Sequence, residues 1–492
     1  MTHTAITTLG QLKKAGYQSR SVKDEMRQNL ITALKNGNNL WEEIKGYDET
    51  VIPQLQTAIL SRHNIILLGL RGQAKTRIAR LLLNLLDEYM PIIEGSEIND
   101  DPLMPLSRFG LQTILEMGDE TPIQWVHRNL RYTEKLATPD VSVSDLIGDV
   151  DPIKAATLKL PYSDERVIHF GLIPRSHRGL FVINELPDLQ ARIQVSLFNI
   201  LQEGDIQIRG FKLRLPLDIQ FVFTANPEDY TNRGSIVTPL KDRIDSQILT
   251  HYPKSIDIAQ SITEQEADVK QKEEYLTVFP ILRKLIERVA FEARDSELID
   301  KKSGVSARLT ISALENLYSS AERRMYLTNE KEGHVRIGDL IAIIPSITGK
   351  VELVYEGETE GVSQVAQLLL GKSIRKEFLQ IFPDPNKLKK KREAIDNPYS
   401  DIIDWFNENI LELKRDLKTK EYEKALVGVK GLDQLIKKYM PQLSGKEKIL
   451  WMEFALHGLA ELSQLSRFTL DGSIQFKDLM SGMMGETGNQ EE

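Results

Sequence analysis

Apolar and polar positions follow two different periods along the chain, and these divide it into an α/β part and a helical part. Short, mostly apolar runs lie at 64–68, 180–184 and 220–225. Runs of this kind predict central strands of a parallel sheet that is covered on both faces. Stretches with apolar residues at helical spacing lie between them. The alternation over 48–255 therefore predicts βαβ units.

The rest of the chain has helical periodicity. Residues 1–47 are expected to form an N-terminal helical segment, 256–350 a helical domain, and 351–492 a C-terminal all-helical region. Within the last region, helices are expected at 363–381, 400–417, 419–440 and 445–466. The apolar runs are far shorter than the ~18–20 residues of a membrane helix. The N-terminus also lacks a signal-peptide pattern. We therefore expect a cytoplasmic protein with no membrane contact.

Composition removes several classes of function. The 492 residues include no cysteine, which excludes disulfides, thiolate metal sites and cysteine nucleophiles. The formal net charge of −8 argues against a nucleic-acid partner, because dedicated nucleic-acid binders are usually basic. The histidines show no metal-ligand spacing, so we expect them to be structural or at the surface.

The strand at 64–68 runs into a glycine-containing loop and then a predicted helix at 77–89. The loop sequence is Gly69, Leu70, Arg71, Gly72, Gln73, Ala74, Lys75 and Thr76. Backbone N–H groups of such a loop can surround phosphate oxygens, Lys75 can reach the β- and γ-phosphates, and Thr76 can offer its hydroxyl to Mg²⁺. The motif predicts a Walker A site for ATP. Ala74 stands where the motif has its last glycine, and it fits there if its φ is negative.

A second apolar strand, 179–183, ends in Asn184 and Glu185. A Walker B strand ends in Asp-Glu, where the aspartate holds Mg²⁺ and the glutamate polarises the attacking water. Glu185 suits the second role. Asn184 keeps an acceptor oxygen for the metal but lacks the charge, so a weaker hold on Mg²⁺ is expected.

Later segments resemble, in order and spacing, AAA+ ATPases of the MoxR and magnesium-chelatase branch over about 45–350. Phe221–Pro227 resembles the sensor-1 strand, 240–244 the arginine-finger segment, and 304–310 the sensor-2 segment. The resemblance implies that Asn226 orients the attacking water, that Arg243 acts as a finger on a neighbouring subunit, and that Arg308 touches the γ-phosphate. The stretch 138–148 resembles the one before the helix-2 insert of this branch.

The same resemblance implies an AAA+ P-loop domain with a parallel five-stranded sheet, followed by a helical lid. It also implies a hexameric ring with ATP at the subunit interfaces. The partner in this branch is often a protein with a von Willebrand factor A domain. Residues 351–492 fall outside the resemblance.

Each of three further features has two possible interpretations. Residues 206–215 predict a β-hairpin with Arg209, Lys212 and Arg214 exposed, either as a pore-facing grip on an acidic partner or as a solvated strand face. The basic run at 387–392 is either a polyanion contact or a solvated linker. The apolar helix around Trp451 is either core or a docking face.

Four functions are compatible with these features. The leading one is a mechanochemical ATPase that remodels or activates a partner protein. The others are the ATPase motor subunit of a metal chelatase acting on a porphyrin-like ligand, an ATP-dependent switch or scaffold that hydrolyses little, and a DNA-translocating helicase. Asn184 favours the switch, and the net charge disfavours the helicase.

Overall fold

The computed structural model describes residues 6–162, 164–208, 214–227, 235–390, 397–470 and 472–479. The chain divides into two compact units, Met1–Tyr252 and Pro253–Glu492. The division lies three residues before the end of the α/β part expected at 255. It groups the N-terminal segment with the α/β part, and the expected lid with the C-terminal region.

A five-stranded parallel sheet forms the centre of the first unit. Its order is β11-β1-β10-β7-β4, with the strands β1 (Ile65–Leu68), β4 (Tyr132–Leu136), β7 (Gly179–Asn184), β10 (Ile219–Ala225) and β11 (Ser246–Leu249). All residues of β1, β7 and β10 are buried. The strands predicted from the three apolar runs and the parallel α/β fold are thus confirmed.

Three two-stranded antiparallel ribbons surround this sheet. Their strands are β2 (Tyr89–Ile93) with β3 (Ile123–His127), β5 (Gly148–Val150) with β6 (Ile168–Phe170), and β8 (Asp205–Gln207) with β9 (Arg214–Pro216). The β8–β9 pair is the hairpin predicted at 206–215. Ile206, Ile208 and Leu215 are buried and Arg214 is exposed, as its alternation indicates. Residues 209–213, which include Arg209 and Lys212, lie outside the described residues.

The helices of the first unit cover the sheet and its ribbons. They are α1 (Leu9–Lys14), α2 (Val22–Asn36), α3 (Val51–Leu60), α4 (Lys75–Leu81), α5 (Arg108–Met117), α6 (Val143–Leu146), α7 (Pro152–Leu158), α8 (Leu172–Arg175), α9 (Ala191–Ser196), α10 (Phe198–Glu203) and α11 (Thr238–Asp242). The helix predicted at 77–89 is shorter than expected. After α4 the chain tightens into a 3₁₀ turn at Leu82–Leu85 and enters β2 at Tyr89.

The N-terminal segment is joined to the sheet by a buried ion pair. Glu25 of α2 accepts two hydrogen bonds from the guanidinium of Arg131, of 2.8 and 2.6 Å, and both side chains are buried. Oε1 of Glu25 also accepts a hydrogen bond of 2.6 Å from the backbone N–H of Asp87. The segment is therefore an integral layer of the first unit.

The second unit has one continuous hydrophobic core, to which residues from 267 to 476 contribute. Its helices are α12 (Ile256–Glu266), α13 (Pro280–Asp295), α14 (Arg308–Thr328), α15 (Ile344–Thr348), α16 (Tyr355–Glu360), α17 (Val362–Ile381), α18 (Pro385–Lys390), α19 (Ser400–Glu408), α20 (Thr419–Val427), α21 (Leu432–Tyr439) and α22 (Gly445–Glu461). Two short strands, β12 (Leu276–Thr277) and β13 (Gly333–His334), pair in parallel. Trp451 is buried in this core, which favours the core interpretation of its helix.

The C-terminal region is mainly helical, but the expectation that it is all-helical was wrong. Three strands, β14 (Leu411–Lys414), β15 (Ser466–Leu470) and β16 (Ser473–Lys477), form an antiparallel sheet in the order β14-β16-β15. These strands shorten the helices expected at 400–417 and 445–466. The helix expected at 419–440 is two helices, because Gly431 adopts a φ of +85° between them. Among the described residues no helix is both long and apolar enough to cross a bilayer.

Candidate nucleotide-binding site

Two positions in the loop between β1 and α4 require glycine. Gly72 has φ +73°, a value that suits glycine. Gly69 is closely surrounded: a Cβ built on it would lie 1.9 Å from Oγ1 of Thr250 and 2.2 Å from Oε1 of Gln73. Glycine is therefore required at 69 for packing and at 72 for conformation.

Ala74 departs from the sequence-based expectation. Its φ is +57° and its ψ +17°, so its backbone is left-handed, and the condition of a negative φ for an alanine at this position is not met. It stands directly before the first residue of α4, and its carbonyl accepts the N–H of Ile78 at 2.9 Å. A non-glycine residue costs roughly 1–2 kcal/mol in this conformation. The loop thus holds Ala74 in a strained backbone conformation.

Three hydroxyl groups hold the loop from outside. The single hydroxyl proton of Tyr47 is shared between the carbonyl of Gln73 at 3.1 Å and that of His251 at 2.7 Å. Thr250 donates to Oε1 of Gln73 at 2.7 Å, and Tyr252 donates to the carbonyl of Arg71 at 2.9 Å. Burial raises the pKa of Tyr47 to about 12, so its hydroxyl stays protonated and can donate. The buried side chain of Gln73 thus anchors the loop to Thr250 through Oε1.

Lys75 and Asn226 are brought together, as the motif order implies. Nζ of Lys75 donates to Oδ1 of Asn226 at 2.7 Å, to the carbonyl of Leu70 at 3.0 Å, and to the carbonyl of Gly69. These three acceptors match the three protons of an ammonium group. Lys75 and Asn226 thus meet at the carboxyl edge of the sheet, where α/β proteins bind ligands.

Asn184 ends β7 and is hydrogen-bonded to both neighbouring strands. Its Nδ2 donates to Oε1 of Glu134 on β4 at 2.6 Å, and its Oδ1 accepts from Oγ1 of Thr224 on β10 at 3.0 Å. The next residue, Glu185, is half-buried and left-handed, with φ +55° and ψ +49°. Its N–H donates to Oγ1 of Thr224 at 3.2 Å. Strained backbone of this kind is concentrated at functional sites.

The donors available to a metal at this edge are oxygens. Thr76 contributes a hydroxyl from the first turn of α4, Asn184 an amide oxygen, and Glu185 a carboxylate. Mg²⁺ prefers such hard ligands and usually takes few from the protein, with phosphates and water completing its shell. Within the described residues no three His, Cys, Asp or Glu side chains form a metal cluster. The residues fit a Mg²⁺ that arrives with a nucleotide.

Arg243 lies just after α11 and is held within its own unit. Its guanidinium donates to Oε1 of Gln202 at 3.0 Å and to the carbonyl of Pro239 at 2.8 Å, and it lies 5.0 Å from the ring centroid of Phe198. Asp245, a possible structural partner, instead accepts the N–H of Asn64 at 2.8 Å. The side chain is half-buried, so part of it faces solvent.

Arg308 belongs to the second unit. It is the first residue of α14 and is exposed, and its N–H donates to Oγ of Ser306 at 3.1 Å. A cation at this end of a helix gains nothing from the helix dipole. The exposed guanidinium of Arg308 therefore does not stabilise α14 through the helix dipole.

Five residues of the site were not expected from the sequence. They are Tyr47, Glu134, Thr224, Thr250 and Tyr252. Thr224 stands inside the sensor-1 segment, but nothing in that segment assigns a hydrogen bond to it. The other four lie outside every motif, and each acts on a partner at least 25 residues away, so no local pattern marks them.

No protein-family model matches the sequence. A curated relative, the magnesium-chelatase 38 kDa subunit of Cereibacter sphaeroides, is 23% identical over 212 residues, which cover 41% of this chain and 56% of that protein. The chain thus spans a little over half the length of the relative that it matches.

Two solved structures show distant likeness. A model of the complex between subunits BchI and BchD of magnesium chelatase, based on a cryo-EM reconstruction, is 17% identical over 64% of this chain and 97% of that chain, with a TM-score of 0.34. A putative ATPase from Cytophaga hutchinsonii is 17% identical over 73% of this chain and 97% of that chain, with a TM-score of 0.28. These values are low, so the fold assignment depends on the sheet and loop themselves.

The parallel five-stranded sheet, the loop after β1 and the meeting of Lys75 with Asn226 define an α/β P-loop fold of the AAA+ type. The similarity to the magnesium-chelatase 38 kDa subunit is weak and covers only part of both proteins.

Proposed function

We propose that this chain is a Mg²⁺-dependent ATPase that works in an oligomeric ring and uses hydrolysis to remodel or activate a partner protein. The observation that carries the proposal is the hydrogen bond of 2.7 Å between Lys75 and Asn226 at the carboxyl edge of the sheet. It joins a phosphate-binding cation to a group that can orient water. Gly69–Thr76 would bind the nucleotide, Thr76 and Asn184 would hold Mg²⁺, and Glu185 would polarise the attacking water.

Nucleotide binding is tested first. Lys75→Ala removes a charged donor, and such hydrogen bonds contribute ~1.5–3 kcal/mol. Affinity for ATP measured by calorimetry should fall at least several-fold. Lys14→Ala, at an exposed position of α1, is the matched control and should bind normally. Equal affinities of the two variants would remove the P-loop assignment.

The oligomeric site is tested by mixing two inactive variants. We propose that Arg243 acts on ATP bound to a neighbouring subunit, where its charge would stabilise the phosphoryl transition state; fingers of this kind contribute ~10³–10⁵ in rate in well-studied GTPases. Glu185→Gln and Arg243→Ala should each be nearly inactive alone. Mixed rings would contain interfaces with both residues intact and should regain activity. If rings mix and no activity returns, Arg243 is not a finger.

We propose a von Willebrand factor A domain protein as the partner, because this branch of AAA+ proteins commonly works with one. The alternative is the motor subunit of a metal chelatase that acts on a porphyrin-like ligand, and similarity to the magnesium-chelatase 38 kDa subunit favours it. Purification of the native protein with its partners separates the two. A partner with a von Willebrand factor A domain alone supports remodelling, whereas a large porphyrin-binding subunit supports the chelatase.

A third possibility, an ATP-dependent switch that hydrolyses little, is favoured by Asn184. Turnover measured on assembled rings with saturating ATP and Mg²⁺ distinguishes it. A rate no higher than that of Glu185→Gln would identify a switch.

A further inference from the structure

The end of β7 lacks the carboxylate that usually faces Mg²⁺ in a P-loop ATPase, yet a carboxylate touches the residue that replaces it. Asn184 donates from Nδ2 to Oε1 of Glu134 at 2.6 Å. Glu134 lies on the neighbouring strand β4, two residues before its end, and only 22% of its side chain is exposed.

The contacts fix which way the Asn184 amide faces. An ionised carboxylate only accepts hydrogen bonds, so the NH₂ group must face Glu134. The hydroxyl of Thr224 accepts the N–H of Glu185 at 3.2 Å and gives its own proton to Oδ1 of Asn184 at 3.0 Å. An amide oxygen has two lone pairs, and Thr224 uses one of them. Asn184 is therefore held as an oriented acceptor.

Glu134 is itself fixed in place. Its Oε2 accepts from Nε of Arg80 on α4 and from the hydroxyl of Tyr132, both at 3.0 Å, while Oε1 is directed to Asn184. The side chain of Arg80 is 63% exposed, so water screens its charge more than that of Glu134. Oε1, the carboxylate oxygen that Arg80 and Tyr132 do not contact, is the one that faces Asn184.

We infer that Glu134 supplies, through the amide of Asn184, the negative charge that the Walker B aspartate normally gives to Mg²⁺. A hydrogen bond from an amide N–H to a carboxylate polarises the amide and strengthens its oxygen as an acceptor. Carboxylates behind a metal ligand commonly orient and tune it in this way. Glu134 is thus a positioning residue for Mg²⁺, and this role rests on the proposed function of the site.

The first experiment measures how nucleotide affinity depends on Mg²⁺ concentration, by calorimetry with the full chain. Glu134→Gln keeps the size of the side chain and removes the charge. It should raise several-fold the Mg²⁺ concentration that gives half of the maximal gain in nucleotide affinity. Nucleotide affinity measured in EDTA should stay unchanged. Direct Mn²⁺ binding to the nucleotide complex, followed by electron paramagnetic resonance, should weaken to the same extent.

The control separates this role from a purely structural one. Arg80→Ala breaks the link between Glu134 and α4 and keeps the carboxylate. If Glu134 only anchors the helix, Arg80→Ala should raise the Mg²⁺ requirement as Glu134→Gln does. If Glu134 acts by its charge, Arg80→Ala should leave that requirement unchanged or lower it.

The decisive experiment repeats Glu134→Gln in the Asn184→Asp background, where its effect on Mg²⁺ affinity should have the opposite sign. There the two carboxylates face each other without an N–H between them, which disfavours their joint ionisation. Asn184→Asp alone should therefore gain little Mg²⁺ affinity, and adding Glu134→Gln should now tighten Mg²⁺ several-fold. Weaker Mg²⁺ binding on Glu134→Gln in both backgrounds, or no effect in either, would overturn the inference.

The two levels of proposal fail differently. If Lys75→Ala leaves ATP affinity intact, the nucleotide site itself is wrong. If Lys75→Ala weakens ATP as expected and Glu134→Gln leaves the Mg²⁺ dependence unchanged, only the role of Glu134 is wrong.

Discussion

The ammonium group of Lys75, in the first turn of α4, donates a hydrogen bond of 2.7 Å to Oδ1 of Asn226 at the end of β10. The two residues are 151 positions apart in the chain, and the parallel pairing of β1 with β10 brings them together. The contact places a cation for phosphate oxygens beside an amide that can also bind water.

Asn226→Ala should separate binding from hydrolysis. Removal of one neutral amide affects affinity by about 0.5–1.5 kcal/mol at most, because Lys75 keeps its two carbonyl partners. The rate of phosphate release should fall at least tenfold, since the water loses its orienting group. Asn409→Ala, at the surface of the second unit, is the control. A hydrolysis rate equal to that of the control would contradict the sensor role.

Ala74→Gly should relieve backbone strain. Glycine removes the roughly 1–2 kcal/mol cost of the left-handed conformation, and its greater freedom in the unfolded chain returns about 0.5–1 kcal/mol. The first unit should therefore be as stable as before or more stable by up to about 1.5 kcal/mol in chemical denaturation.

Ala79→Gly, within α4, is the control substitution in which glycine should lower stability. Ala79 is fully buried and lies within the helix, so glycine should destabilise there. Destabilisation by Ala74→Gly as large as that by Ala79→Gly would contradict the left-handed backbone at 74.

Glu25→Gln should destabilise the first unit strongly. The guanidinium of Arg131 would remain buried without a compensating charge, and breaking such a pair costs about 3–5 kcal/mol. Denaturation followed by the fluorescence of Trp41 and Trp125 measures it, since both tryptophans lie in this unit. Asp119→Asn, which breaks the exposed pair with Lys13, should cause no measurable change.

The stability of the second unit should depend on pH through Glu287. Burial raises the pKa of this carboxyl to about 7, although a hydrogen bond from Thr263 opposes the shift. The folded state therefore binds a proton more tightly than the unfolded state does. Its contribution to stability is fully present below the unfolded pKa near 4.5 and is lost as the pH rises towards 7.

The comparison of wild type with Glu287→Gln isolates this effect. The wild type should lose stability relative to the variant between about pH 4.5 and 7. Burial lowers the pKa of His334 to about 4. Its contribution to the pH dependence of stability is the same in both proteins and cancels in the comparison. The fluorescence of Trp405 and Trp451 follows this unit, and Glu297→Gln at an exposed position should behave as wild type. A constant difference across this pH range would contradict the raised pKa.

Strands with continuous apolar runs could be predicted from the sequence, whereas short strands with distant partners could not. Every residue of β7 is buried, so its sequence is a mostly apolar run that predicts a strand. β14 has only four residues, alternately buried and exposed, and it pairs with β16 about 60 positions later. Its strand conformation depends on that partner, which local periodicity does not report.

The site shows the same division. Lys75, Asn184 and Asn226 belong to motifs in which order and spacing carry information. The contact of Glu134 with Asn184 spans 50 positions and arises from strand pairing, so a single sequence does not reveal it. The φ of Ala74 is positive although alanine usually avoids the left-handed region, and a single sequence does not report that the loop imposes this conformation.

The hydroxyl contacts around the phosphate loop limit how that loop can move. Tyr47, Thr250 and Tyr252 tie the loop to residues 250–252, which are the last residues of the first unit. The polypeptide therefore leaves this unit next to Tyr252, whose hydroxyl donates to the carbonyl of Arg71, and Thr250, whose hydroxyl donates to the side chain of Gln73. The hydroxyl of Tyr47 links the carbonyl of Gln73 to that of His251. A rearrangement of the loop cannot take place without stretching or breaking one of these hydrogen bonds. The conformation of the loop is therefore coupled to the positions of residues 250–252, from which the chain leaves the first unit.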